Sequence, residues 1–123
     1  MDRKKVLIVA CGLWQEQWTR ELGKRLGLNG DISLLSAMSV REAEDLFAEN
    51  PGCSAIVLAV YADESPTAGQ LVPLAFKFRT MRPRARMVAV GDADDRRLLG
   101  RAGCNYGCTR DNLIAKLTEV LHG

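Results

Sequence analysis

The feature that most constrains the fold is an apolar stretch at residues 53–61, with the sequence CSAIVLAVY. A run this short and this rich in β-branched residues is typical of a β-strand that is buried on both faces. Residues 5–10 hold a second run of this kind, KVLIVA. Strands buried on both faces occur mainly in parallel sheets covered by helices, so the two runs favour an α/β protein.

Further strands are predicted, and a helical pattern follows each of them. The predicted strands cover residues 5–10, 32–37, 53–61, 86–90 and 104–109. The first helix is expected to end near Gly27 or Gly30, and a short fourth helix is predicted at 94–101. The apolar residues of the first helix recur every four positions, at Trp14, Trp18, Leu22 and Leu26.

Capping and proline rules predict where the other helices start. Ser39 and Glu42 form the Ser-x-x-Glu pattern of a capping box, which predicts a helix from residue 40. Pro73 is expected in the first turn of the third helix, because a later proline removes a backbone hydrogen bond. That helix should therefore start near residue 69 or 70. Asp111 is expected to cap the last helix.

The alternation of strands and helices predicts the topology of the sheet. Connections of this length between parallel strands are right-handed crossovers, which place helices on both faces of the sheet. The simplest arrangement is a flavodoxin-like (βα)5 three-layer sandwich with strand order 2-1-3-4-5, in which ligands bind at the carboxyl ends of the strands. A length of 123 residues is typical of one domain, so residues 1–123 are predicted to form a single unit.

Composition excludes several classes of protein. No segment approaches the roughly 20 apolar residues of a membrane span, and the apolar run after the first basic residues is too short for a signal peptide. We therefore expect a cytoplasmic protein with no membrane partner. The cysteines have irregular spacing and are expected to be reduced thiols, at Cys11, Cys53, Cys104 and Cys108. No metal and no cofactor is predicted.

The charges are unevenly placed along the chain. The formal net charge is only +2, which by itself requires no partner of opposite charge. In a parallel sheet, one rim would collect the basic residues Arg3, Lys4, Lys5, Arg79, Arg82, Arg84 and Arg86. The opposite rim would collect the acidic residues Asp63, Glu64, Asp92, Asp94 and Asp95. Because the basic rim has no interleaved aromatic residues, nucleic acid is disfavoured as a partner.

Two segments resemble the receiver domains of bacterial response regulators, the CheY-like family. The best match runs over residues 34–60, and its first part, 34–51, resembles the second strand and helix of the family. The sequence GCNYGCTR at 103–110 resembles the family's Gly-Ala-Asp-Asp-Tyr-Leu-x-Lys segment. The resemblance covers nearly the whole chain and implies the (βα)5 fold and a role in two-component or phosphorelay signalling.

The resemblance also shows which functional groups this chain lacks. A working receiver phosphorylates an aspartate at the end of its third strand, with Mg²⁺ held by that aspartate and by an acidic pair ending the first strand. A hydroxyl group after the fourth strand and a lysine after the fifth contact the phosphoryl group. The corresponding positions here are Ala10, Cys11, Ala59, Gly91 and Arg110. Only Arg110 carries the expected charge, so we expect a degenerate pocket without a phosphoacceptor, and no aspartyl phosphorylation.

The sequence leaves three interpretations of function. The first is a protein without enzymatic activity that binds a protein partner or forms a homodimer. The second is a cysteine-based phosphoryl carrier, similar to the IIB proteins of the sugar phosphotransferase system, or a redox protein, with Cys11 as the reactive thiol at a helix N-terminus. The loop after Cys11 offers one glycine and no hydroxyl group, which disfavours the carrier. The third is small-ligand binding in an apolar pocket lined by Ala10, Ala59 and Gly91.

Overall fold

A parallel sheet forms the centre of the molecule. The computed structural model describes residues 4–26, 32–62 and 64–122, without the side chains at 23, 25 and 26. The strands are β1 (Lys4–Val9), β2 (Ile32–Ala37), β3 (Ala55–Ala59), β4 (Met87–Val90) and β5 (Tyr106–Cys108). They pair in the order β2-β1-β3-β4-β5, and all neighbours are parallel. The predicted flavodoxin-like order 2-1-3-4-5 is confirmed.

Helices cover both faces of this sheet. They are α1 (Gly12–Leu26), α2 (Val40–Glu49), α3 (Ala68–Met81), α4 (Ala93–Arg101) and α5 (Leu113–His122). Leu7 of β1 belongs to a buried cluster with Phe78 of α3, whereas its neighbour Ile8 belongs to a second cluster with Leu117 of α5. This alternation follows from the two-residue period of a strand. None of the described helices is long and apolar enough to cross a membrane.

The strand register brings several chain segments to one edge of the sheet. Val9 lies opposite Leu58 in the β1–β3 pair, and Ala59 lies opposite Val90 in the β3–β4 pair. All residues of β3 are buried, as expected for a central strand. Because the strands are parallel, the residues that follow β1, β3, β4 and β5 meet at their common carboxyl edge.

The start of α2 agrees with the predicted capping box in part. Ser39 is the N-cap, and its Oγ accepts a hydrogen bond from the backbone N–H of Glu42 at 3.1 Å. The Glu42 carboxylate accepts from the backbone N–H of Met38 at 2.8 Å, one residue before the N-cap. Both bonds satisfy backbone donors at the entrance to the helix.

The third helix starts earlier than predicted. The Thr67 hydroxyl accepts from the backbone N–H of Gln70 at 3.3 Å, and the Gln70 side chain accepts from the N–H of Thr67 at 2.8 Å. This capping box starts α3 at Ala68, so Pro73 is its sixth residue, and the prediction that Pro73 lies in the first turn is wrong. The carbonyl left without an intrahelical donor is that of Gly69, which lies in the exposed first turn where water can bind it.

Two other boundaries differ from the prediction. A 3-10 turn at Arg110–Asn112 precedes α5, so Asp111 lies inside that turn and does not cap the last helix as predicted. The strand predicted at 53–61 is shortened to β3, because the N–H of Cys53 donates to Asn50 O at 3.2 Å in the turn after α2. The predicted end of the first helix at Gly27 or Gly30 lies outside the described residues.

Candidate functional site

The five positions of the predicted degenerate pocket all lie at or beside the carboxyl edge of the sheet. Ala10 and Cys11 follow β1, Ala59 ends β3, Gly91 follows β4, and Arg110 begins the turn after β5. The structure divides them into two sets. Ala10, Cys11 and Ala59 are buried, whereas Gly91 and Arg110 line a cavity that opens at the edge.

The buried set forms part of the apolar core. Ala10 and Ala59 are 0% exposed and Cys11 is 5% exposed, and they belong to one buried cluster with Trp14, which is 1% exposed. The positions that the resemblance assigns to the carboxylates of a receiver are therefore closed to solvent in this structure. An apolar ligand pocket lined by Ala10 and Ala59, the third interpretation of the sequence, is contradicted because neither residue has exposed surface.

A buried glutamine near the start of α1 forms hydrogen bonds to this edge of the sheet. Gln15 is 7% exposed, and its Nε2 donates to Ile8 O at 2.8 Å and to Ala37 O at 2.9 Å. Its Oε1 accepts from the Thr19 hydroxyl at 3.0 Å. The side chain thus joins α1 to the ends of β1 and β2 with every bond inside the protein. The sequence analysis missed Gln15, although it lies on the same helix face as Trp18 and the buried Leu22.

The position that the resemblance assigns to the hydroxyl group of a receiver, Gly91, is closed by an acidic side chain. A Cβ atom added at Gly91 would lie 2.9 Å from the Cβ and 3.0 Å from the Oδ2 of Asp95. Asp95 is held there because its backbone N–H donates to Asp92 Oδ1 at 2.9 Å, at the N-cap of α4. Partial burial, followed by the neighbouring Asp92 carboxylate, raises the pKa of Asp95 above its ordinary value. A serine or threonine at position 91 would therefore require Asp95 to move.

Arg110 is the one position of the predicted pocket with the charge that the resemblance leads us to expect, and its side chain lies against aromatic rings. Its guanidinium carbon lies 5.2 Å from the ring centroid of Tyr61 and 5.9 Å from that of Trp18. Trp18 in turn stacks on Trp14 with centroids 5.7 Å apart and planes inclined by 20°. Cation–π contacts of this kind each contribute about 0.5–1 kcal/mol at exposed sites. They place the Arg110 guanidinium beside Tyr61 and Trp18, and Trp18 stacks on Trp14 of the buried cluster.

The cavity beside Arg110 is open and offers few groups that could bind a ligand. Its volume is about 360 Å³, and its lining combines one cation with two carboxylates. The lining residues are Val60, Tyr61, Ala62, Gly91, Asp92, Thr109, Arg110 and Asp111. Within the described ranges, no group of three or more His, Cys, Asp or Glu side chains is arranged to hold a metal ion.

The cysteines are free thiols in the structure, and all are buried. Burial raises the pKa of the Cys104 thiol to about 12, although the nearby Arg79 lowers it in part. Burial also raises the pKa values of Cys53 and Cys108. Thiols shielded in this way are poor nucleophiles at neutral pH.

Comparison with solved structures identifies the fold of this chain. No protein-family model matches the sequence, and no curated protein matches it. Solved structures do match: a response regulator from Chloroflexus aurantiacus superposes with a TM-score of 0.76 at 15% identity, covering 99% of this chain and 100% of that one. The chain has the fold of a response regulator receiver domain.

Two further structures extend this comparison. The chemotaxis protein CheY4 of Vibrio cholerae has a TM-score of 0.73 at 15% identity, with 97% of this chain and 99% of that chain covered. CheY of Borrelia burgdorferi, solved in a complex with CheX, BeF3 and Mg²⁺, has a TM-score of 0.70 at 14% identity, covering 98% of this chain and 87% of that one. The receiver fold thus extends over essentially the whole chain, and the resemblance noted in the sequence is confirmed at the level of the fold.

Proposed function

We propose that this chain is a receiver-fold signalling module that binds a protein partner without a phosphorylation switch and without catalytic activity. The observation that carries the proposal is the buried cluster of Ala10, Cys11, Ala59 and Trp14. Phosphoryl transfer to an aspartate needs a carboxylate nucleophile, further carboxylates for Mg²⁺, and open volume for the phosphoryl group. At these positions the chain offers methyl groups, a thiol and an indole ring.

The position of Arg110 supports the same proposal. In a working receiver the corresponding cation is free to contact the phosphoryl group. Here the guanidinium lies over Tyr61 and Trp18, and two carboxylates, Asp92 and Asp111, line the same cavity. An incoming phosphoryl group would meet one cation that is already engaged and two groups of its own charge. The edge is therefore unfavourable for a phosphoryl anion in electrostatic terms as well as in volume.

The partner in this proposal is a protein, either a different one or a second copy of this chain. The support is the Borrelia burgdorferi structure, in which a protein of the same fold is seen with CheX. That complex contains BeF3 and Mg²⁺. For the present chain we expect partner binding, or self-association measured by light scattering, to be the same with and without these ions.

Nuclear magnetic resonance tests the proposal at the site itself. We expect the amide resonances of Ala59, Gly91 and Arg110 to stay unshifted when Mg²⁺ and beryllium fluoride are added together. The matched control is a receiver domain with an intact acidic pocket, which should respond under identical conditions. Saturable shifts confined to these three positions would contradict the proposal.

One observation keeps a cysteine-based function as the second candidate. The N–H of Gln15 donates to Cys11 O at 2.9 Å, which places Cys11 at the amino-terminal end of α1, where helices stabilise anions. Its burial opposes the idea, since only 5% of Cys11 is exposed. Alkylation of the native protein, mapped by mass spectrometry, separates the two: rapid modification of Cys11 at neutral pH favours the thiol function, and modification only on unfolding removes it.

A further inference from the structure

A second cavity lies at the opposite edge of the sheet, where the strands begin. Its volume is about 510 Å³, within the range of about 300–1,000 Å³ typical of ligand pockets. Four cationic side chains line it, and none of its described lining residues carries a carboxylate. The lining residues are Lys4, Gly52, Ser54, Arg82, Arg84, Arg86, Leu121 and His122. Part of the basic rim expected from the sequence is thus gathered around a concave surface. Of its other predicted members, Lys5 and Arg79 do not line this cavity, and Arg3 lies outside the described residues.

Backbone carbonyls hold three of the four cations in place. Lys4 Nζ donates to Leu121 O, Arg86 donates to Val120 O, and Arg82 donates to Cys53 O, each at 2.6 Å. Each of these bonds uses one donor, whereas a lysine has three and an arginine five. The cations are therefore positioned before any ligand arrives, and they keep N–H groups for it. A ligand would lose little affinity to the ordering of these side chains.

The charge in this cavity is not balanced by any of the described residues. Arg84 is exposed and makes no hydrogen bond or ion pair with any described residue. The ion pairs seen among the described residues lie elsewhere on the surface. The carboxyl end of α5 contributes a partial negative charge of about half a unit, far less than four full positive charges. A bound anion would relieve the repulsion among the four cations.

We propose that this cavity binds a compact oxyanion with more than one negative charge, of the phosphate or pyrophosphate class. The cations surround a pocket and do not form an extended stripe, which fits a small anion better than the backbone of a nucleic acid. The lining also has no Phe, Tyr or Trp on which a base could stack. This site lies at the edge opposite the degenerate pocket and does not depend on the function proposed above.

Isothermal titration calorimetry of the whole chain with sodium pyrophosphate tests the proposal, at an ionic strength held constant with sodium chloride. We expect saturable binding that Arg84→Gln weakens about tenfold, since a charged hydrogen bond to the anion is lost. Arg41→Gln is the matched control, because Arg41 is exposed in the first turn of α2, at the other edge. It should leave the dissociation constant unchanged. Neither arginine has a bonding partner among the described residues, so both variants should keep the wild-type melting temperature.

Three results would overturn the proposal. The first is the absence of saturable binding to the wild-type chain. The second is equal weakening by Arg84→Gln and Arg41→Gln, which would indicate diffuse attraction by net charge. The third is binding of a short DNA duplex that depends on Arg84 while pyrophosphate does not bind, which would make nucleic acid the ligand.

Discussion

Placing a carboxylate at the end of β3 should destabilise the protein in a way that depends on pH. Ala59 is 0% exposed and belongs to the apolar cluster around Trp14. In Ala59→Asp the new carboxyl group would titrate near pH 3.9 in the unfolded chain, and burial raises the pKa of such a group by up to about 3–5 units. A shift of about three units corresponds to a loss of about 4 kcal/mol at pH 7. Typical domains have a free energy of unfolding of about 5–15 kcal/mol, so the variant should still fold.

The sign of the pH effect follows from the raised pKa. Well below pH 3.9 the carboxyl group is protonated in both states, so the part of the loss that comes from its charge disappears and only the cost of the neutral side chain remains. The loss grows as the pH rises through the interval between the unfolded and the folded pKa. Between pH 5 and pH 7 it should increase by about 2.2 kcal/mol, because each pH unit contributes about 1.36 kcal/mol until the pH approaches the folded pKa.

Urea denaturation followed by tryptophan fluorescence measures this loss, since Trp14 is buried in the same cluster. Ala59→Asn is the control, because asparagine has a similar shape and no charge, so its cost should not depend on pH. The reasoning is wrong if the Asp and Asn variants have the same stability at pH 7. That result would mean that water or a cation reaches the side chain, and that the edge is open.

Three further predictions concern residues that close or support the same edge and core. Gln15→Met should lower the free energy of unfolding by about 1–3 kcal/mol, because the buried hydrogen bonds of the Gln15 side chain to Ile8 O and Ala37 O are lost. The exposed Gln17→Met should change it by less than about 0.5 kcal/mol, and equal effects would contradict the assignment. Gly91→Ser should cost about 1–3 kcal/mol through its contact with Asp95. Asp95→Gly, which removes the contacting Cβ atom, should weaken that penalty in a double-mutant cycle, and additive costs would show that Asp95 does not close the position. Above pH 9 the wild-type chain should lose stability more steeply than Cys104→Ala, by up to about 1.4 kcal/mol per pH unit. The reason is that the buried Cys104 thiol stays protonated in the folded state while the same thiol ionises in the unfolded chain. Identical pH profiles of the two proteins in urea denaturation would contradict the raised pKa.

The fold could be predicted from the sequence because its signals are local and repeated. Short apolar runs such as 53–61 indicate buried strands, and their alternation with helical patterns leaves few topologies. The prediction at Pro73 is wrong because the proline rule does not locate the start of the helix, which a capping box of Thr67 and Gln70 determines. In α3 the two capping hydrogen bonds decide the start of the helix, and the exposed first turn tolerates the missing backbone donor.

The candidate site could be predicted only in part, because its details depend on contacts between distant segments. The residue types at Ala59 and Gly91 predict a degenerate pocket, and this stays a prediction. The sequence could not show that Asp95 fills the space at Gly91, or that Tyr61 and Trp18 hold Arg110. The contacts of Arg110 join segments that are far apart in the chain and meet only when the sheet has formed. The contact of Asp95 with Gly91 is local, but it depends on how the backbone enters α4, which the residue types alone do not specify.

The central claim is that this receiver fold carries no phosphorylation switch, and intact-mass spectrometry tests it most directly. The wild-type chain would be incubated with a small acyl phosphate and Mg²⁺, beside a receiver domain that has an intact acidic pocket. The account predicts that the control gains the mass of a phosphoryl group and that this chain does not. A phosphoryl adduct mapped to any aspartate of this chain would contradict it.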